Sequence, residues 1–175
     1  KLMGLKWNTL PVTYVINPTN SQGLSKEFIL TSISNGAETW DFVTSKNLFS
    51  DAYETNYNVK YGVLDSKNAI VFGDYTDSGV IAITSVWYTR KEKQIVEFDM
   101  LFNTDFAWGD ALQDSTKIDL QNIAVHELGH SVGLADIYST SCTEVSMYGY
   151  GTEGETKKRT LEAPDVTGLQ TISGL

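Results

Sequence analysis

His126-Glu127-Leu128-Gly129-His130-Ser131-Val132-Gly133-Leu134-Ala135-Asp136 is the stretch on which the reading of this 175-residue chain turns. Its first half continues a helical pattern that starts near Asp119, a residue type suited to an N-cap, and runs to Ser131. Four residues is just over one helical turn, so His126 and His130 project from one face and can share a metal ion at about 2.0–2.1 Å. Glu127 stands one step round, close enough to reach a water on that ion, which makes it the candidate general base. A catalytic zinc normally takes three protein ligands. The chain has two histidines and one cysteine, so a carboxylate is required as the third. Gly133 suits a left-handed helix stop that swings the chain back, and Asp136 follows three residues later. Two other carboxylates, Glu144 and Glu153, stay open as third ligands in a different kind of zinc site.

Working outward, the upstream half mixes strands and helix. Pro11–Asn17 alternates and is rich in β-branched residues, which predicts a strand. A helix follows with Ser25 as N-cap and Phe28, Ile29, Ile33, Ala37 and Trp40 as its buried stripe. Further strands are expected at Asn58–Leu64, Ala69–Phe72, Val80–Tyr88 and Ile95–Phe102, with Asn103–Gln113 as a loop. Beyond Gly133 the pattern is irregular until Pro164, which opens a short final helix closed by Gly174. The fold class is α+β: a twisted mixed sheet, two long helices, a cleft, and a small C-terminal piece with one helix. One catalytic domain spans 1–175, divided at 132/133.

Composition narrows the partners. The chain is 41% apolar and 20% charged, and its net charge of −9 repels phosphate backbones, so nucleic acid is not an expected partner. No apolar run reaches the roughly 18 residues needed to span a bilayer, so no membrane partner is expected either. A lone Cys142 forms no intrachain disulfide and reads as a buried small residue. Lys1–Trp7 lacks the features of a signal peptide, and the chain reads as a mature or trimmed form.

At the quoted string the chain resembles the metzincin metallopeptidases, in the minority form that ends in Asp. The match extends to Ser146-Met147-Tyr148, which resembles the family's Met-turn with Met147 as an apolar floor. Leu161–Gln170 resembles the C-terminal helix of matrixin-like members, with Asp165 as its anchor. Gly79–Trp87 and Glu97–Thr104 resemble the two strands beside the cleft in bacterial and archaeal relatives. The resemblance implies one catalytic zinc held by His126, His130 and Asp136, with Glu127 assisting attack of a zinc-bound water on a peptide bond. An Asp ligand adds negative charge and should move the activity optimum to higher pH than an Asp136→His variant would have. There are departures. The histidines of the structural zinc site of animal matrixins are missing. The position of the extra Tyr ligand used by some relatives is Gly149. No cysteine precedes the active helix, so a cysteine-switch pro-segment is not expected within this chain.

Substrate is expected to be a protein or peptide lying extended along Ile83, Thr84, Ser85 and Val86, adding a strand by backbone hydrogen bonds. Tyr148 and Tyr150 would wall the pocket for the next side chain, an apolar one. The resemblance allows structural Ca2+ among Asp65, Asp74, Asp77, Asp99, Asp105 and Asp110. No complete calcium loop is present, and solvated turn carboxylates are the preferred reading. The expectation is therefore a monomeric, secreted or extracellular zinc endopeptidase. Its rivals are a peptidase with Glu144 or Glu153 as ligand and a zinc-stabilised binding module that cleaves nothing.

Overall fold

A computed structural model of the protein describes residues 1–173; the expected closure by Gly174 lies outside them. Strands β1 (Lys6–Trp7) and β2 (Val15–Ile16) precede helix α1 (Lys26–Asp41). Four strands follow: β3 (Glu54–Thr55), β4 (Ala69–Gly73), β5 (Ala82–Thr89) and β6 (Gln94–Asn103). A two-stranded ladder of β7 (Trp108–Gly109) and β8 (Ile118–Asp119) leads into α2 (Leu120–Ser131), and α3 (Ala163–Ser173) ends the fold. The class is α+β, with a curled, mostly parallel sheet and three helices.

The sheet explains where the cleft lies. Strand β6 pairs parallel with β1 at one end and with β4 at the other. Strand β5 runs antiparallel along its opposite flank, from Ala82↔Phe102 to Thr89↔Gln94. Parallel pairs of β2 with β4 and β3 extend the sheet away from β5. Among the described residues β5 pairs with β6 alone, so its outer edge is an open ladder beside α2.

Helix α1 starts as read: the Ser25 hydroxyl accepts from the Phe28 amide at 3.1 Å. Its apolar face is that of Ile29, Ile33, Ala37 and Trp40, joined by Ser32 and Gly36, while Phe28 is only half-buried. Gly36 lets α2 approach, since a Cβ there would stand 3.2 Å from Leu128 Cδ1. The Trp40 indole donates to the Val125 carbonyl at 2.8 Å and ties the helices together. Every residue of α2 except Gln121 is buried, so its His and Glu side chains face the interior or the cleft rather than bulk water.

Three sequence expectations are corrected. Asn58–Leu64 is a series of turns, not a strand. Carboxylates from β6 take amides at its end and just past it: Asp99 accepts from Gly62 and Val63, and Glu97 accepts from Asp65 and Ser66. Donors bound to side chains are not available for a ladder. The Pro11–Asn17 strand narrows to Val15–Ile16 plus an isolated bridge between Val12 and Phe49, and Glu54–Thr55 supplies its partner. The Asn103–Gln113 loop contains β7, held by the Gln22 side chain and by an indole bond from Trp108 to the Asn103 carbonyl.

Candidate active site

Helix α2 carries the central groups, and both its ends are pinned. Asp119 caps it, with one oxygen accepting from the Asn122 amide at 2.8 Å and the other from Ala111. Arg159 grips the same carboxylate and reaches Asp110 at 2.7 Å. At the far end Gly133 takes φ +101°, a region that residues with a Cβ rarely occupy, and a Cβ there would also press on the Leu5 carbonyl. The loop after it is braced by the N-terminal segment: Met3 donates to the Gly133 carbonyl and Ala135 to that of Lys1, both at 2.8 Å. These contacts turn Asp136 back towards the helix.

Each imidazole of α2 is oriented by a backbone carbonyl. His126 Nδ1 lies 2.7 Å from the Ser146 oxygen and His130 Nδ1 2.8 Å from that of Leu134. A carbonyl only accepts, so both Nδ1 atoms carry the proton and both Nε2 atoms present lone pairs. Those Nε2 atoms are 3.1 Å apart, and Asp136 Oδ1 lies 3.2 Å from one and 3.4 Å from the other. Three acceptors this close repel one another unless positive charge sits among them. In the metal-free protein a proton supplies it. Burial lowers the His130 imidazole, but Asp136 and the charge of Glu127 outweigh that and push it up to about 9. Burial likewise raises Asp136, yet the two imidazoles hold its carboxyl well below the usual carboxylate range.

The donor set also fits a zinc ion. Two nitrogens about 2.0–2.1 Å from one tetrahedral ion stand roughly 3.3–3.4 Å apart, close to the spacing found. His126, Glu127 and His130 form a cluster whose ligand atoms lie within 4.8 Å of one another. The Glu127 carboxylate is held from across the cleft, where the Thr84 hydroxyl donates to its Oε2 at 2.7 Å.

The surroundings sort the remaining sequence candidates. A cavity of about 610 Å³ is lined by Ile83, Thr84, His126, Glu127, His130, Asp136 and Tyr150, among others. Ser85, Val86, Met147 and Tyr148 are not in its lining. The Ser85 hydroxyl instead meets Tyr61 at 2.7 Å. Met147 is buried beneath Gly129, where any Cβ would collide with its sulfur and with Trp40. Asp165 accepts from the Ser146 amide at 2.9 Å and from that of Met147 at 3.3 Å, which ties α3 to this turn. Glu144 pairs with Lys157 at the surface, Glu153 is exposed, and Cys142 is half-buried; none of them lines the cavity. Of the acidic residues expected in loops, Asp99 lies buried in β6 instead, where it accepts from the Gly62 amide; Asp65, Asp74, Asp77 and Asp110 each accept hydrogen bonds as well.

Two cleft residues escaped the sequence reading. Tyr138 donates to Asp136 Oδ2 at 3.1 Å, and its ring fills the space left by Gly149, whose Cβ would strike it. Burial, then the Asp136 charge, raises the Tyr138 phenol. Lys158 is 1% exposed, lines the same cavity and donates to the Tyr150 carbonyl at 2.6 Å. Burial pulls its ammonium below the ordinary value while Glu155 opposes that. Spacing could have hinted at Tyr138, two residues past Asp136. Nothing in Lys157-Lys158-Arg159 marks the middle residue as buried.

Two convergent imidazoles on a buried helix, a glycine stop and a returning carboxylate define the metzincin class of metalloproteins. The family model for matrixin matches residues 6–174, and the chain belongs to that family, whose members are zinc-dependent endopeptidases. It is 28% identical over 171 residues to stromelysin-1 of Equus caballus, covering 97% of this chain and 33% of that one. It is 25% identical over 174 residues to matrix metalloproteinase-C of Caenorhabditis elegans, covering 97% of this chain and 29% of the relative. Identity to metalloendoproteinase 4-MMP of Arabidopsis thaliana is 28% over 119 residues, 65% of this chain and 33% of that one. The chain thus spans about a third of the length of these relatives.

Proposed function

We propose that this chain is a single catalytic domain of a zinc-dependent endopeptidase, with zinc held by His126, His130 and Asp136. The observation that carries the reading is the convergence of three acceptor atoms, His126 Nε2, His130 Nε2 and Asp136 Oδ1, within 3.4 Å. When bound there, zinc supplies a Lewis acid that polarises the scissile carbonyl and acidifies the attacking water. Glu127 takes the proton from that water and passes it to the leaving amine. Thr84 holds the Glu127 carboxylate at 2.7 Å, so the base is aimed before substrate arrives. The backbone of β5 offers its open edge to an extended peptide, and adding a strand orients the scissile bond over the helix.

Substrates are peptides or proteins met outside the cell by a monomeric enzyme. No helix among the described residues is long and apolar enough to cross a membrane. Met147 supports the histidines from below through Gly129. Membership of the matrixin family implies structural calcium beside zinc, and Asp74 and Asp77, which accept from Thr104 and Gly79, are among the loop carboxylates that could serve it. A fluorogenic peptide or casein should be cleaved by wild type, spared after chelation, and spared by Glu127→Ala. Cleavage that survives Glu127→Ala at the wild-type rate would remove the base from this account. Zinc binding with no turnover on any peptide would leave a binding module instead.

A further inference from the structure

The floor of the cleft is not purely apolar. Between α2 and the Tyr150–Gly151 segment, Ile81 and Ile123 line the cavity together with Lys158. A Cβ on Gly151 would stand 3.3 Å from Ile123 Cδ1, 3.5 Å from Ile81 Cδ1 and 3.7 Å from Lys158 Nζ. The ammonium therefore sits at the foot of an apolar slot. An ammonium has three N–H donors. One goes to the Tyr150 carbonyl at 2.6 Å, and a second direction is taken by Glu155 Oε1 at 3.3 Å. No third acceptor is present among the described residues.

The lysine is held there by construction rather than by chance. Its own amide donates to Asn122 Oδ1 at 2.7 Å, and the Asn122 side chain donates to Glu155 Oε1 at 3.1 Å. Asn122 is itself 1% exposed and belongs to α2, one turn before His126. The pocket floor is thus fastened to the catalytic helix. Solvent can pair that N–H in the open cleft; a side chain that displaces the solvent without accepting from it leaves the donor unpaired at about 1–3 kcal/mol, and one that accepts from it avoids that cost.

We infer that Lys158 selects the substrate side chain that enters this slot, favouring an apolar stem that ends in a neutral hydrogen-bond acceptor, as in glutamine. This rests on the peptidase reading above. The charge balance is what favours a neutral acceptor. Glu155 pairs with the ammonium at 3.3 Å, while Lys157, 3.8 Å from the other Glu155 oxygen, is paired with Glu144; Glu127 lines the same cavity, so a carboxylate would enter against two negative groups. Leucine fills the stem of the slot and leaves the third N–H unpaired.

The test compares otherwise identical peptides with glutamine, leucine or alanine after the scissile bond, on wild type and Lys158→Met. Wild type should prefer glutamine over leucine in kcat/KM, and Lys158→Met should lower that ratio by roughly tenfold. An unchanged ratio overturns the inference. Competition binding of the same peptides to zinc-loaded Glu127→Ala supplies a readout without turnover, and the same order is expected there. Gly151→Ala covers the case of a misfolded Lys158→Met, because it leaves the ion pair intact. It should depress the glutamine and leucine peptides while sparing alanine, whereas an equal loss on all three overturns the slot. No binding and no cleavage of any peptide would fail the peptidase reading itself, a result distinct from cleavage with an unaltered preference.

Discussion

At the scale of single residues, the proposed site sets a proton against a metal for one position. His126, His130 and Asp136 offer that position three lone pairs, and Tyr138 fixes the outer oxygen of Asp136. Tyr138→Phe should weaken zinc retention by about tenfold while leaving the fold intact, since a residue that orients a ligand typically carries that much. Competition with a chromogenic chelator reads this directly, and unchanged affinity would assign the tyrosine to packing alone. The proton has its own consequence. Its folded-state pKa on His130 is about 9, above the ordinary 6.5, so it stabilises the metal-free protein fully below pH 6.5. That contribution disappears as pH rises through 9. The midpoint of thermal unfolding for chelator-treated protein should therefore fall across this window, and that of zinc-loaded protein should not. Parallel curves for the two forms would contradict the proton that His130 holds against Asp136.

Elements explain what the sequence can and cannot disclose. Helix α2 was legible end to end, because Asp119, the two histidines and Gly133 are each local signals with a stated geometry. The turn from Ser146 to Met147 and its tie to Asp165 were legible only through family resemblance; spacing alone says nothing of which amides a distant carboxylate will accept. The same physics hid the real course of residues 58–66, where the amides of Gly62 and Val63 go to Asp99 and those of Asp65 and Ser66 to Glu97, some thirty positions away. It also hid Lys158, which burial alone distinguishes from its charged neighbours. Gly129 is the element-scale counterpart of the active-site residues, since the helix can lie on Met147 and Trp40 only without a Cβ there. Gly129→Ala should cost about 1–3 kcal/mol by overpacking and lower zinc affinity with it. Full stability in a denaturant titration would mean the methionine floor yields freely.

For the whole molecule, the parts that hold the site come from far apart in the chain. The N-terminal segment braces the loop of Asp136, β5 supplies Thr84, α2 supplies the imidazoles and Glu127, and α3 anchors the turn below. A ligand that binds only this assembled state stabilises all of it, by about 2.7 kcal/mol at a hundredfold excess over Kd. The central claim is that zinc is held by His126, His130 and Asp136, and metal content by mass spectrometry tests it most directly. Wild type, Glu127→Ala and Glu144→Ala should each retain one zinc per chain through dialysis, and Asp136→Ala should lose most of it. Zinc retained by Asp136→Ala and lost from Glu144→Ala would contradict the account.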